Sequence, residues 1–214
     1  MANQRRILIT AGPTHEPIDA VRYLANRSSG RLGICLAAAA REAGWDVTLL
    51  LGPTPLPPTG VRTERFETAA DLAALLDRYA PDCDVLVMAA AVADYRPRAA
   101  AAHKLPRSGR KLVIELEPTP DLIAACAQRK RPGQRLIGFA LEEPGVLAAR
   151  AQEKLAHKGL DAIVANPLET MNADLIRATV YTADGQVAAP PGGGVIPKDE
   201  FARWLIAWIA ATMK

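Results

Sequence analysis

RILITAGPTHEPIDAVRYLANRSSGRLGICLAAAAREAGWDVTLLL, residues 6–51, decides the fold. An aliphatic run at 6–11 reads as a strand, an Ala- and Leu-rich segment at 29–43 as a helix, and a second aliphatic run at 46–51 as the next strand. Working outward, a strand is predicted at 61–66 and a helix at 69–79. Residues 84–90 are almost continuously apolar, as a strand covered on both faces requires. A helix at 120–128, a strand at 135–140, a helix at 146–157 and a strand at 161–164 continue the alternation. This rhythm predicts an α/β fold, a three-layer Rossmann-like domain on a mostly parallel sheet. Two segments break it. Residues 94–117 lack helical spacing, carry Arg96, Lys104, Arg107, Arg110 and Lys111, and end in KLVIELE, which alternates like a strand. An irregular insertion after a central strand is where an open α/β sheet places a working flap. In the tail, ATVYT and QVA flank a turn at Asp184-Gly185, a hairpin signal, before a last helix at 198–211 with Phe201, Leu205, Trp208 and Ile209 on one stripe. TPLPPTG at 54–60 reads as a surface connection and QRKRPGQR at 128–135 as a solvated turn. With no repeat and no linker, a single domain over residues 1–214 is expected.

Composition narrows the function class. The chain has 214 residues, is 50% apolar and 23% charged, and carries a net charge of +3. That charge is too small to argue for nucleic acid, though it suits a small anionic ligand. Cys35, Cys83 and Cys126 are widely spaced in apolar surroundings, which is neither a disulfide framework nor a zinc pattern. The N-terminus has no apolar core of signal-peptide length, and no stretch approaches the ~18 apolar residues of a membrane span. A reduced, cytoplasmic protein without membrane or nucleic-acid partners is expected.

The chemistry concentrates in a few short stretches. In residues 9–33 the helix opens at Gly30 and Gly33, where free backbone N–H groups can hold a phosphate, with Ser28 and Ser29 as added donors. Taken alone, SSGxxG is better explained by a plain strand-to-helix turn. The connection, however, is about three times the usual ~2–6 residues. It carries Thr14, Glu16, Asp19, Arg22, Asn26 and Arg27, with Asn26 placed to bond an acyl or phosphate oxygen. In VMAAAVADYRP, residues 87–97, small side chains at Ala89, Ala90 and Ala91 admit a flat base. Asp94 follows to accept from base or ribose or to help hold a metal ion, unless it merely caps or pairs with Arg96. Asp121 sits in a first helical turn, where dipole-favoured capping explains it. Phe139 ends a strand and packs either on a base or in the core. Lys154 and Lys158 share one helix face, mildly destabilising unless a polyphosphate lies across them or the face is simply solvated. Lys104 gains interest only from its place in the insertion. A nicotinamide-dependent oxidoreductase is disfavoured, since Tyr23, Tyr79, Tyr95 and Tyr181 lack the partnering Lys, and no Gly-Lys dipeptide exists for a kinase-type phosphate loop.

Taken in order, ITAGPTxEPIDxVRYLxNRSSGxLG, AAAVADYRP, a Lys ten residues after that Asp, TPDL, GFALE and KxxxKGLDxIVAN resemble phosphopantothenoylcysteine synthetase, from about Arg5 to Ala211. The resemblance implies a ligase of coenzyme A biosynthesis that joins 4′-phosphopantothenate to L-cysteine through an acyl-nucleotide, with CTP or ATP as co-substrate. It also implies Mg²⁺ held mainly by the triphosphate, with no protein metal ligand assigned. Asn26 matches the residue at the acyl-cytidylate and Lys104 the flap lysine, the two catalytic assignments. Ala90, Ala91, Asp94, Asp121, Phe139, Lys154 and Lys158 match nucleotide-binding positions; Ser28, Ser29, Gly30 and Gly33 match the oxyanion-binding helix start. A homodimer is implied. Departures are KLPR in the flap, with Pro106 and Arg107 for two lysines, His15, Glu143 beside Glu142, and Ile176 in place of an Asn. These leave a repurposed nucleotide-binding homologue as the alternative. The family's usual flavin-dependent decarboxylase has no room before Met1, so it is expected as a separate chain, or this chain as an excised domain, and no flavin is expected here.

Overall fold

A computed structural model describes residues 4–58 and 60–212. Six parallel strands form the body of one sheet: β1 (Arg6–Ala11), β2 (Asp46–Leu51), β3 (Arg62–Arg65), β4 (Val85–Met88), β5 (Arg135–Glu142) and β6 (Ala162–Pro167). Two more, β7 (Thr179–Thr182) and β8 (Val187–Ala188), extend it as an antiparallel hairpin beside β6. Across the sheet the order is β3-β2-β1-β4-β5-β6-β7-β8. The chain therefore steps outward from β1 to β3 and returns to lay β4 on the other side of β1. Strand order reverses there, and a crevice opens at the carboxyl ends of β1 and β4.

Side-chain alternation sorts the core into two layers. Ile7, Ile9, Ala11, Leu49, Leu51 and Val87 pack beneath α1 (Arg31–Glu42) and α5 (Lys198–Thr212). Leu8, Leu50, Leu86 and Met88 face α2 (Ala69–Tyr79), α3 (Leu122–Gln128) and α4 (Leu147–His157) on the other side. On α5 the buried stripe is Phe201, Leu205, Ile206 and Ile209, with Trp208 at its half-buried margin.

Three local readings need correction. Helix α1 begins at Arg31, because Gly30 takes a left-handed φ of 74° as its cap and leaves Ser28 and Ser29 outside the helix. Of KLVIELE, only Leu116 and Glu117 enter a strand, Leu116–Pro118, which pairs antiparallel with Tyr95–Pro97; Leu112, Val113 and Ile114 remain exposed. QRKRPGQR is a clamp rather than a solvated turn. Buried Gln134 donates to the carbonyls of Ala80 (2.6 Å) and Cys83 (2.9 Å), Arg131 donates to Cys83 (2.8 Å), and Lys130 pairs with Asp161 (3.0 Å). The three cysteines are free thiols, and burial pushes Cys83 up to about 11. No described helix is long and apolar enough to cross a membrane.

Gly33 sets the seat of α1. A Cβ there would lie 2.4 Å from the Ala11 Cβ, so helix and strand approach more closely than any side chain allows. Gly33→Val should therefore cost about 1–3 kcal/mol, the scale of overpacking, in chemical denaturation. Unchanged stability would mean that α1 can shift freely on the sheet.

Candidate functional site

A cleft of about 760 Å³ occupies the β1/β4 crevice. Asn26, Ser28, Ser29, Gly30, Gly33, Ala90, Ala91, Asp94, Asp121, Phe139, Lys154 and Lys158 all line it, whereas Lys104 does not. The fold thus brings twelve of the thirteen predicted positions together and leaves the flap lysine exposed outside the lining.

The long connection after β1 explains how this wall is built. His15–Pro17 and Tyr23–Ala25 pair as a short hairpin, with His15 stacked on Tyr23 at 3.7 Å. Its polar residues divide by direction. Thr14 Oγ1 accepts from the Ala93 N–H at 3.0 Å, and Glu16 accepts from the Ala69 N–H at the start of α2 at 2.9 Å. Asp19 accepts from the N–H groups of Val21 (2.9 Å), Arg22 (2.8 Å) and Leu105 (3.0 Å) and pairs with the Arg22 guanidinium. That guanidinium holds the Asp19 carboxyl far below the usual carboxylate range. These three side chains are buried and hold the loop and flap root; they are not ligand groups in waiting. Asn26 does face the cleft, and its Nδ2 donates to the Val92 carbonyl at 2.9 Å, fixing the loop to the segment after β4.

The amino end of α1 is open. No side chain caps it, and the Ser28 and Ser29 hydroxyls reach the N–H groups of Gly30 and Arg31 only at 3.4 and 3.5 Å. The first-turn N–H groups consequently point out of the helix end, where an anion is favoured. On the facing wall Asp94 is exposed and its carboxylate has no protein partner among the described residues. Arg96 pairs with Glu117 at 2.7 Å, so the Asp94–Arg96 reading falls away.

Lys154 and Lys158 are not stacked without partners, as the helix spacing implied. Lys154 pairs with Glu142 at 2.7 Å, and Lys158 pairs at 2.9 Å with Asp121, which also caps α3 through the Ala124 N–H at 3.2 Å. The Lys154 ammonium, assisted by Arg150 at 3.2 Å, holds the Glu142 carboxyl below the usual carboxylate range. Glu143, by contrast, is exposed and outside the lining. Ile176 is fully buried in the core under α5, which accounts for an apolar residue there.

The cleft also holds residues that motif spacing missed: Thr119, Asn166, Thr170, Asn172 and Lys198. Thr119 Oγ1 is buried without a hydrogen-bond partner. Lys198 opens α5, against the helix dipole, and that misplacement was the available signal.

Residues 2–213 match the model of the DNA/pantothenate metabolism flavoprotein C-terminal domain. The chain belongs to this family. A relative from an unknown prokaryotic organism, named cysteine/cysteine sulfinic acid decarboxylase, is 42% identical over 80% of this chain and 48% of its own length. The coenzyme A biosynthesis bifunctional protein CoaBC of Vibrio cholerae is 37% identical over 87% of this chain and 48% of its own. The chain thus spans about half the length of these curated relatives. A crystal structure of the C-terminal domain of a CoaBC protein superposes with a TM-score of 0.79 at 38% identity, covering 96% of this chain and 93% of that one. The resemblance to phosphopantothenoylcysteine synthetase domains therefore holds for fold and family alike.

Because Lys154 is tied to Glu142 at 2.7 Å, Glu142→Gln should strengthen inorganic triphosphate binding severalfold. Lys154 stays partly exposed although Glu142 is largely buried, so the lost pair should cost about 1 kcal/mol, the upper end for surface pairs. Titration calorimetry with the folded variant checks this; unchanged affinity would mean that Lys154 does not meet the anion.

Proposed function

We propose that this domain is a phosphopantothenate–cysteine ligase that activates the 4′-phosphopantothenate carboxylate with a nucleoside triphosphate, CTP or ATP. The single observation that supports it best is the cleft itself, which joins an uncapped helix start, Asn26, Asp94 and the Lys154/Lys158 pair at one strand-order reversal. In this reading the carboxylate oxygen attacks the α-phosphorus, pyrophosphate leaves, and the acyl-nucleotide forms. The cysteine amine then attacks the acyl carbon, loses a proton, and expels the nucleoside monophosphate.

Each residue has a task in keeping with its surroundings. First-turn N–H groups of α1 receive phosphoryl oxygens without reorganisation. Lys154 and Lys158 exchange their carboxylate partners for the polyphosphate, whose charge density is higher. Asn26, anchored on Val92, holds the acyl-phosphoryl oxygen in place for the second step. Ala90 and Ala91 leave room for the base, with Phe139 beside it. Lys104 rides on the flap whose root is pinned to Asp19 through Leu105, and closes over the acyl-nucleotide. Among the described residues no group of three potential ligands could hold a metal. A Mg²⁺ ion fits as a passenger on the triphosphate, with Asp94 as the one cleft carboxylate free to meet it, and would supply charge neutralisation.

A second copy of the chain is part of this reading. Val21 and Tyr23 on the hairpin and Tyr95 and Leu116 on the paired strands that border the flap, and Val113 in the flap itself, expose large apolar surfaces, the kind of patch an interface covers. Sedimentation should show a dimer that Tyr95→Asp weakens; a monomeric wild type would remove this part.

Purified protein with Mg²⁺ should release pyrophosphate only when 4′-phosphopantothenate is present, and should form amide only when cysteine is added. Lys104→Ala should lower turnover by about 10²-fold or more with little change in triphosphate affinity, as loss of a transition-state contact requires. Equal losses in both would remove its catalytic role. Pro106 and Arg107 stiffen and recharge the flap, so nucleotide binding without any release would favour the repurposed homologue instead.

A further inference from the structure

Lys198 is a cleft charge that the proposed chemistry has not used. Only 7% of it is exposed, yet it lines the cleft, entering from the α1/α5 layer while Lys154 and Lys158 enter from the α4 side. Lysine is among the residues least often buried without a partner. Here the ammonium donates to the Thr170 carbonyl at 3.1 Å, and among the described residues no carboxylate is within ion-pair reach. Asp174 is the nearby acid, but its carboxylate is committed to Arg31 at 2.9 Å, and its carbonyl accepts the Lys198 backbone N–H at 3.0 Å. Arg31 adds repulsion, and burial together with that repulsion holds Lys198 below its ordinary basicity.

The two cations share a second oddity. Arg31 opens α1 and Lys198 opens α5, so each stands at the positive end of a helix dipole. Asp199 and Glu200 offset the dipole of α5, with Asp199 paired to Arg203 at 2.9 Å; the first turn of α1 contains no acid. Uncapped N–H groups and a buried ammonium with spare donors thus converge on one part of the cleft with no anion to meet them, beside an Arg31 guanidinium that Asp174 already neutralises. Such an arrangement costs folding free energy unless a ligand supplies the missing charge.

We infer that Lys198 and the first turn of α1 form a phosphoryl-binding subsite, in which a pyrophosphoryl or phosphomonoester group completes the coordination of the buried ammonium. The choice between those two sources rests on the ligase reading; the subsite itself does not. The wall of α4 would then grip the polyphosphate from one layer of helices and Lys198 from the other.

Titration calorimetry of inorganic pyrophosphate, and separately of 4′-phosphopantothenate, into wild type, Lys198→Met and Lys198→Arg provides the test. Lys198→Met should weaken at least one of the two by about tenfold or more, the scale of one charge-assisted hydrogen bond, and Lys198→Arg should recover part of it. The ligand that loses more identifies the source. Without anion, Lys198→Met should melt no lower than wild type, because replacing a buried unpaired charge by an apolar chain is neutral or stabilising. Unchanged affinity for both ligands, or a lower melting point with unchanged affinity, would make Lys198 a structural residue and overturn the inference. In wild-type protein labelled with ¹⁵N-lysine, pyrophosphate or 4′-phosphopantothenate should shift the Lys198 Nζ resonance, which keeps the test decisive if the methionine variant does not fold. No shift with either overturns the inference too. Lys198-dependent anion binding without ligase turnover would refute the proposed function and leave the subsite standing; turnover with indifferent Lys198 would do the reverse.

Discussion

The missing side chain at Gly33 is the constraint on which the site depends. With no Cβ, α1 settles against Ala11 at a distance that closes the β1–α1 joint, and Gly30 turns the chain into the helix with φ 74°. The helix end therefore projects into the crevice where strand order reverses, between β1 and β4. Were α1 displaced outward by a methyl group, its N–H groups, Ser28, Ser29 and Arg31 would move together relative to Ala90, Ala91 and Asp94. The remaining walls then follow from which layer each helix occupies. Helices α3 and α4 carry Asp121, Lys154 and Lys158 from one face of the sheet, and α5 carries Lys198 from the other.

Much of this architecture was legible in the sequence because short-range physics decides it. The strands at 6–11 and 46–51 and the helix at 69–79 have the bounds that their apolar runs and end signals indicate. At α2 the ends are set locally, by a Thr68/Asp71 capping box. The flap was less legible. Whether KLVIELE becomes a strand depends on pairing with Tyr95–Pro97, some twenty residues earlier, and only Leu116–Pro118 finds that partner.

For the site, residue identity was readable and direction was not. Glu16, Asp19 and Asn26 all looked like polar groups on a long loop. The first two turn inward, to the Ala69 and Leu105 N–H groups, and only Asn26 borders the cleft. Lys154 and Lys158 looked partnerless because their acids, Glu142 and Asp121, come from other elements. Lys198 went unnoticed for the same reason, since its burial arises from the packing of α1 beside α5 and from the Thr170 carbonyl rather than from its neighbours in sequence.

The ion pairs also suggest how an unliganded cleft stays stable. Glu142 and Asp121 neutralise lysines that would otherwise repel each other along α4. The central claim is that the cleft activates a carboxylate at the α-phosphorus of a nucleotide. A single turnover with 4′-phosphopantothenate carrying ¹⁸O in its carboxylate, with nucleoside triphosphate and cysteine, tests it most directly. The account predicts one ¹⁸O in the released nucleoside monophosphate and none in pyrophosphate. Label in inorganic phosphate, or amide formed with no label in the monophosphate, would contradict it.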